Sequence, residues 1–421
     1  MSGLRFGFLT TFYPPYNFGG DGIGIQRLAR GLVNAGHRVT VIHDVEAYEA
    51  LARGPAPGPV PEPEGLEVVS LRSGLGRLSL LLTQQTGRPV VNGRRIRRLL
   101  DERRFDVLVY HNISLVGGPG LLACGQGPKL YLAHEHWLVC PTHVLWRHGR
   151  ERCTGRQCLR CQLHHRRPPQ WWRWTGLLER QARHVDAFIA MSEFSRQKHR
   201  EFGFRPEMEV LPYFLPDEEP GTPAPAGPAP HPRPYFLFVG RLERIKGLQD
   251  VIPAFAGEGG TDLVVAGDGE FRGALEAQAA GMARVRFLGR VDGTTLAAWY
   301  RHAVALVVPS LCFETFGIIL LEAWRQGTPV IARRLGPFPE LVDRAGAGEL
   351  FETPAELQAA MARLAGDPDR RARMAAAGRA AVRAHWSEHA VVPRFLEIVR
   401  RVGERRGDAK VLATLSPRVH A

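Results

Sequence analysis

Short, wholly apolar runs alternate with segments of helical spacing twice along this chain, and a Pro-rich stretch separates the two series. Strands that are apolar at every position are buried on both faces, which is the condition of a parallel sheet covered by helices. The first series opens with Leu4–Thr10, then a Gly-rich turn (Gly19, Gly20, Gly22, Gly24). Ile25, Leu28, Leu32 and Val33 follow on one side of a helix, and His37–Ile42 resumes as a strand. Further buried-strand candidates are Phe105–Tyr110, Lys129–Ala133 and Ala187–Ala190. They end beside His111 and Asn112, His134 and Glu135, and Ser192. Pro216 to Pro234 cannot fill a sheet interior and reads as a semi-rigid spacer. The second series is Tyr235–Val239, Asp262–Ala266, Val285–Leu288, Ala305–Val308 and Pro329–Ala332. Helices are expected over Glu356–Arg383 and Glu388–Val402, with a weakly ordered tail from Gly403. The expectation is an α/β protein of two Rossmann-like, doubly wound domains facing a central cleft, with ligands at the carboxyl ends of the strands.

Composition narrows the class. The chain has 421 residues, 44% apolar and 23% charged, which excludes disorder as the main state and allows two or three domains. No apolar run approaches the ~20 residues that span a bilayer. The first residues read as a strand, without the basic start and cleavage site of a signal peptide, so a cytoplasmic location is expected. The net charge of +13 favours anionic partners such as nucleotides, phosphorylated substrates, acidic membrane or nucleic acid. Arg far outnumbers Lys, so a compositional habit of the source is the bland alternative.

Chemistry concentrates at strand ends in the second half. Val308–Gly327 carries Glu314 on a loop and Glu322 eight residues on, inside an otherwise apolar helix. That spacing is close to two helical turns and puts both carboxylates on one side. The helix mouth at Phe316, Gly317 and Ile318 offers amides to hydroxyls or phosphate. A carboxylate meets a cis-diol with two acceptor oxygens; the alternative is that both acids are merely solvated. Phe238–Gly247 ends a strand at Gly240 and adds Arg241 and Lys246, a cation pair suited to a diphosphate. Gly267 and Gly269 form another tight turn, and Gly19-Gly20 takes the equivalent place in the first half, out of register with a dinucleotide fingerprint. Asp367-Pro368-Asp369 reads as a helix start rather than a metal site.

Four of the six cysteines lie together: Cys140, Cys153, Cys158 and Cys161, spaced C-x12-C-x4-C-x2-C. Four thiols with a C-x2-C pair favour structural zinc, with an iron–sulfur cluster, disulfides or free thiols as alternatives and His164 and His165 as spare ligands. Cys124 and Cys312 read as isolated packing thiols. Around the cluster lie many arginines, then Trp171, Trp172 and Trp174, a combination seen on basic lids and at membrane interfaces.

Taken in order, these motifs resemble the retaining GT-B glycosyltransferases of family 4, the E-x7-E type. The resemblance rests on Gly19-Gly20 before a helix ending in NAGHRVTV, on GRLERIKG, AGDGE and VRFLGRV, on Glu314 and Glu322, on GTPVIA, and on the closing HWSEHAVVPRFLEIVRRV. It covers most of the chain. It implies a transferase using a nucleotide-sugar and needing no catalytic divalent metal. By motif, Arg241 and Lys246 would hold the diphosphate with Gly20, Glu314 would contact the donor sugar, and Glu322 the ribose. Gly240 and the backbone at Phe316–Ile318 would line the donor, and the backbone near Arg290 and Val291 would meet the base. His134, in AHEHW, would lie against the reacting sugar. Similar Cys-bearing insertions occur in some relatives after this motif. The implied domains are 1–215 for the acceptor, with the insertion at 140–175 and completed by a helix over 386–404, a linker at 216–234, 235–385 for the donor, and a tail at 405–421. The acceptor (a saccharide, lipid-linked or small molecule) and a peripheral contact with the inner membrane face stay open; nucleic acid is not expected. The rival readings are a zinc-stabilised nucleic-acid-binding protein and a GT-B-shaped epimerase or phosphorylase.

Overall fold

The computed structural model describes residues 3–52, 58–217 and 227–416. It falls into two compact units, 1–213 with 388–421, and 214–387. The first is built on β1 (Arg5–Thr10), β2 (Arg38–Asp44), β3 (Leu66–Leu71), β4 (Val107–Tyr110) and β5 (Lys129–Ala133). A small hairpin, β6 (Trp146–Arg147) and β7 (Glu151–Arg152), interrupts the series before β8 (Ala187–Ala190) and β9 (Met208–Val210). The sheet is parallel throughout in the order β3-β2-β1-β4-β5-β8-β9. The second unit carries β10 (Tyr235–Val239), β11 (Asp262–Ala266), β12 (Val285–Gly289), β13 (Ala305–Val308), β14 (Val330–Arg333) and β15 (Gly348–Phe351). Its order is β12-β11-β10-β13-β14-β15, again all parallel. Each unit is therefore doubly wound, and the α/β, Rossmann-like expectation holds for both sheets.

The central strands β4, β5, β8, β11 and β13 are buried at every residue, as their unbroken apolar runs require. In each sheet the first strand is flanked by the second and the fourth. That is where the winding reverses and where the connecting loops part, leaving room for a ligand. The switch lies between β1 and β4 in the first unit and between β10 and β13 in the second.

Besides the β6–β7 hairpin, three strands of the parallel sheets escaped the sequence reading: β3, β9 and β15. All lie at or next to a sheet edge, where the apolar run is short or mixed: LEVVSL, MEV and GELF. The tail is a correction. The helix Glu388–Arg406 runs past Gly403, and a further helix, Ala409–Leu415, starts at Asp408, whose carboxylate accepts from Val411 N at 3.1 Å. Val411 is fully buried, so this segment packs rather than dangles. Helix Glu388–Arg406 lies on the first unit: Glu388 accepts from Asn34 at 2.7 Å, and Arg406 pairs with Asp186 at 3.1 Å. The Ala/Arg-rich stretch is two helices, Pro354–Gly366 and Pro368–His385. They part at Asp367, which accepts from Arg370 N at 2.8 Å as an N-cap while Pro368 has no N–H to continue the first helix. Residues 218–226, the middle of the Pro-rich spacer, lie outside the described residues. Among the described residues no helix is long and apolar enough to cross a membrane.

Candidate functional site

In the second unit the ligand edge is assembled from the loops after four adjacent strands. After β10 the chain turns through Gly240 and Arg241 into a short helical turn, Arg244–Lys246. After β13 it runs through Ser310 and Glu314 to the helix Ile318–Gln326. Leu311 N donates to Ile245 O at 2.8 Å, binding the two loops together across the switch point. Lys246 Nζ reaches Glu314 Oε1 at 2.6 Å, and Ser310 Oγ donates to the same oxygen at 3.0 Å. Burial opposes both charges, but the partner outweighs it: Lys246 is raised above the usual ammonium range and Glu314 is held below the usual carboxylate range. The pair is thus ionised at neutral pH. Arg241 lies close enough to help hold Glu314 charged, and is itself half-exposed and paired with Glu243 at 2.7 Å.

The neighbouring loops close in because one side chain is missing. A Cβ on Gly267, after β11, would stand 1.9 Å from Gly240 O, so only glycine lets these two strand ends touch. Gly267 N in turn donates to Gly289 O at 2.7 Å, bringing in the loop that carries Arg290 and Val291. The N-cap at the start of this helix is Gly317, which has no side chain to cap it.

Glu314 and Glu322 part company here. The helix starts only at Ile318, so the two-turn phase argument does not extend back to Glu314. Glu322 instead takes a contact from Tyr300 OH at 3.4 Å. Burial first, and Glu322 second, push the Tyr300 phenol well above its ordinary range. Cys312, expected as a packing thiol, is free and buried, with its Sγ 3.9 Å from Glu314 Oε1 and its pKa pushed up by burial to about 12.

The ligand edge of the first unit is of another kind. Helix Gly20–Asn34 starts after Gly19, again with no side-chain cap, and Asn17 Nδ2 fastens the turn to Gly19 O at 2.7 Å. His134, just after β5, is almost wholly buried, and both ring nitrogens are engaged. Nε2 meets His111 Nδ1 at 2.8 Å and Nδ1 meets Tyr213 OH at 2.6 Å. Burial pulls His134 down to about 3, and burial with His134 pulls His111 well below its ordinary value, so both rings are neutral. His111 Nε2 has no hydrogen-bond partner among the described residues. The chain Tyr213–His134–His111 is packed by helix Gly20–Asn34: a Cβ on Gly24 would stand 2.1 Å from the Tyr213 ring. Tyr213 carried no signal in the sequence. It lies 79 residues from His134, in a segment with no motif.

The four-cysteine segment folds as the β6–β7 hairpin followed by helix Cys158–His164. His143, Leu145 and His148 in and before the hairpin adopt positive φ, as does Arg166 after the helix. All six cysteines are free. Burial is the main cause raising Cys153, Cys158 and Cys161, and Cys140 raises each further, so the four thiols lie within one another's field. They are not gathered as ligands. Cys140 Sγ faces Thr142 Oγ1 at 3.3 Å, Cys153 donates to Gly155 O at 3.2 Å, and Cys161 accepts from His148 N at 3.4 Å. Among the described residues no group of three or more His, Cys, Asp or Glu side chains is placed to hold a metal ion.

Comparison with known proteins gives two family matches in tandem. Glycosyltransferase Family 4 matches residues 18–219, and Glycosyl transferases group 1 matches residues 224–381. An uncharacterized glycosyltransferase, MJ1607 of Methanocaldococcus jannaschii, is 40% identical over 113 residues, 25% of this chain and 29% of the relative. Such local matches span about a third or less of those relatives. Glycogen synthase of Mycobacterium tuberculosis is 27% identical over 422 residues, 94% of each chain. Among solved structures, sucrose-phosphate synthase from Thermosynechococcus elongatus superposes with a TM-score of 0.71 at 20% identity, over 96% of this chain and 100% of that one. Anabaena Alr3699/HepE in complex with UDP superposes with a TM-score of 0.63 at 18% identity, over 94% and 100%. At these identities the superpositions establish the shared fold.

Proposed function

We propose the following for a chain that is, by its two tandem matches, a GT-B glycosyltransferase of the group 1/family 4 type. It moves a sugar from a nucleotide-sugar donor to an acceptor hydroxyl, with retention at the anomeric carbon. The observation that carries this reading is the ionised Lys246–Glu314 pair across the β10/β13 switch point, beside an uncapped helix start. A donor diphosphate there meets Lys246, Arg241 and the amides of Phe316, Gly317 and Ile318. Glu314 then exchanges part of its contact with Lys246 for a hydroxyl of the donor sugar. Glu322 takes the ribose hydroxyls, and the backbone at Gly240, Arg290 and Val291 lines the phosphates and the base. In the first unit, Gly19 and Gly20 supply amides at a helix start, and His134 is a neutral group suited to a sugar hydroxyl rather than to a charge.

In the step itself, the bond from the anomeric carbon to the diphosphate oxygen breaks. The acceptor oxygen bonds to that carbon on the same face, and its proton passes to the departing diphosphate. Stabilising that leaving charge is the main catalytic contribution, so no protein nucleophile is required. HepE is a solved relative in fold that binds UDP, which makes UDP-sugars the first donors to try. The test is a calorimetric screen of UDP-, GDP-, ADP- and dTDP-sugars, followed by NMR of the product's anomeric configuration. Saturable binding of one donor and a retained anomer support the reading. No binding by any of the four classes overturns it.

Structural zinc belongs to the same proposal. The donor set is right (four free thiols in one another's field), but the side chains stand apart in separate local bonds, so no step is derived through a metal. One equivalent of zinc in the purified, reduced protein supports it, and a metal-free preparation of full stability ends it.

A further inference from the structure

The helix Arg77–Thr86 is built inside out. It buries Ser79 and Thr83 along with Leu80. Its outer face and the residue leading into it carry Leu75, Leu78 and Leu81, exposed at 52, 52 and 43%. A helix held only by its own fold turns the leucines inward, because each buried one stabilises it by about 1.5–3 kcal/mol relative to exposure. Leu78 and Leu81, three apart on the helix, share a side, and Leu75 leads into it; all three are exposed among the described residues.

A second apolar group sits against this helix. Trp172 is buried and donates from Nε1 to Gln84 O at 3.0 Å, and Gln84 Nε2 donates to Pro168 O at 2.7 Å. Arg173 also turns inward, stacked on Trp172 at 4.5 Å and donating to Trp137 O at 2.6 Å. These anchors hold the flanking Trp171 and Trp174 outward, 57 and 54% exposed, with ring centroids 5.8 Å apart. The exposure is thus imposed by fixed neighbours rather than by a loose loop.

The sequence stretches that carry these groups are basic, with Glu46, which accepts from Gly74 N at 2.9 Å and Gly76 N at 3.2 Å, as the acid at the head of the helix. Residues 75–98 hold six arginines and no Asp, Glu or Lys, and residues 152–178 hold six more with none of the three. These two stretches alone account for almost the whole net charge of +13. Exposed aliphatic and indole groups in arginine-rich stretches fit a bilayer interface. Leucines enter the acyl boundary, indoles sit among the headgroups, and arginines meet lipid phosphates. A nucleic acid would use the arginines and the indoles but leave a stripe of leucines in water.

We propose that the face formed by helix Arg77–Thr86 and the Trp171–Trp174 turn docks on the surface of an anionic lipid bilayer. The proposal goes beyond the transferase reading and is tested without donor or acceptor, so either can fail alone. Full-length protein is sedimented with vesicles of phosphatidylcholine alone and with equal phosphatidylglycerol added, at low and at high salt. The expected result is binding to the anionic vesicles only, weakened by salt, with a blue shift of tryptophan fluorescence. Leu78→Ser/Leu81→Ser and, separately, Trp171→Ala/Trp174→Ala should each weaken vesicle binding about tenfold or more, with the melting temperature of the free protein unchanged. Three results overturn the proposal: no binding to anionic vesicles at low salt; equal binding by both double variants; or a dimer, or a nucleic-acid complex, that the same substitutions break while vesicles compete for neither.

Discussion

The two sheets share one strand order, yet their switch points carry opposite chemistry. Between β10 and β13 stands an ion pair, Lys246 with Glu314, kept charged by mutual attraction against burial. At the end of β5, beside β4 at the other switch point, stands a neutral chain, His111–His134–Tyr213, kept uncharged by burial with no acid in the chain to oppose it. The same topology therefore produces equivalent strand-end edges and leaves their chemistry open. A diphosphate needs the charged edge, because anions are costly to desolvate without cations. A sugar hydroxyl suits the neutral one, which offers donors and acceptors without a fixed charge.

The sharpest way to break this comparison is to remove the cation. Lys246→Ala should lower kcat/KM by on the order of 10²–10³, the scale of losing one charge-stabilising donor, and should also destabilise the fold by leaving the half-buried Glu314 without its cation. Lys246→Ala/Glu314→Gln should recover the stability but not the activity, as read by urea melts beside steady-state rates; recovery of both would remove the pair from the chemistry.

Glu314→Gln should cost less, about 10–100-fold in kcat/KM, and should leave the affinity for the nucleoside diphosphate alone unchanged or tighter. Calorimetry with the sugar-free nucleotide separates the two effects. Loss of nucleotide affinity would show that Glu314 acts on the phosphates and not on the sugar.

The third test uses pH. His134 is held near 3 and His43, also buried, near 4, below the ordinary value of 6.5. For a histidine lowered on folding, the unfolded chain binds more protons, so stability is full above about 6.5 and is lost as pH falls toward the folded value. At pH 5 each such residue should have cost about 2 kcal/mol. Lys246 is raised and Glu314 lowered, each toward its charged form, and both stay ionised across this window, so the second unit's edge should be indifferent to it. His134→Asn should therefore flatten the fall in melting temperature between pH 7 and 5. An unchanged slope would place the proton uptake elsewhere. The smallest expected effect is Asp367→Ala, about 1 kcal/mol from loss of an N-cap, with rates intact. It calibrates what a purely structural change looks like in the same assays.

How much of this was legible beforehand follows the same division. Wherever the backbone turns tightly beside a strand end, the sequence announced it. Gly240, Gly267, Gly317 and the loops around them lie where apolar runs stop, and local pattern reveals that. Lys246 and Glu314 were each marked by their loops, although their direct contact spans 68 residues and no local pattern could show it. Tyr213 and the role of His111 are contacts between strand ends in space, without any spacing rule to expose them. The inverted helix Arg77–Thr86 failed to register because its leucines do follow helical spacing; only burial reveals that the polar side is inside. Nor could composition show that Gly403, which would ordinarily end a helix, serves instead as the bare surface on which Val411 rests.

That last contact bears on how the chain is made. Asn34, Asp106 and Asp186 all find partners between Glu388 and Lys410. During translation the first-made residues must therefore wait, incomplete, while the ribosome reads through everything that lies between. The later-made unit, continuous from 214 to 387, has all its parts as soon as it leaves the exit tunnel. Maturation of the nascent polypeptide should thus run against the direction of synthesis, the middle closing first and the beginning only when the end arrives.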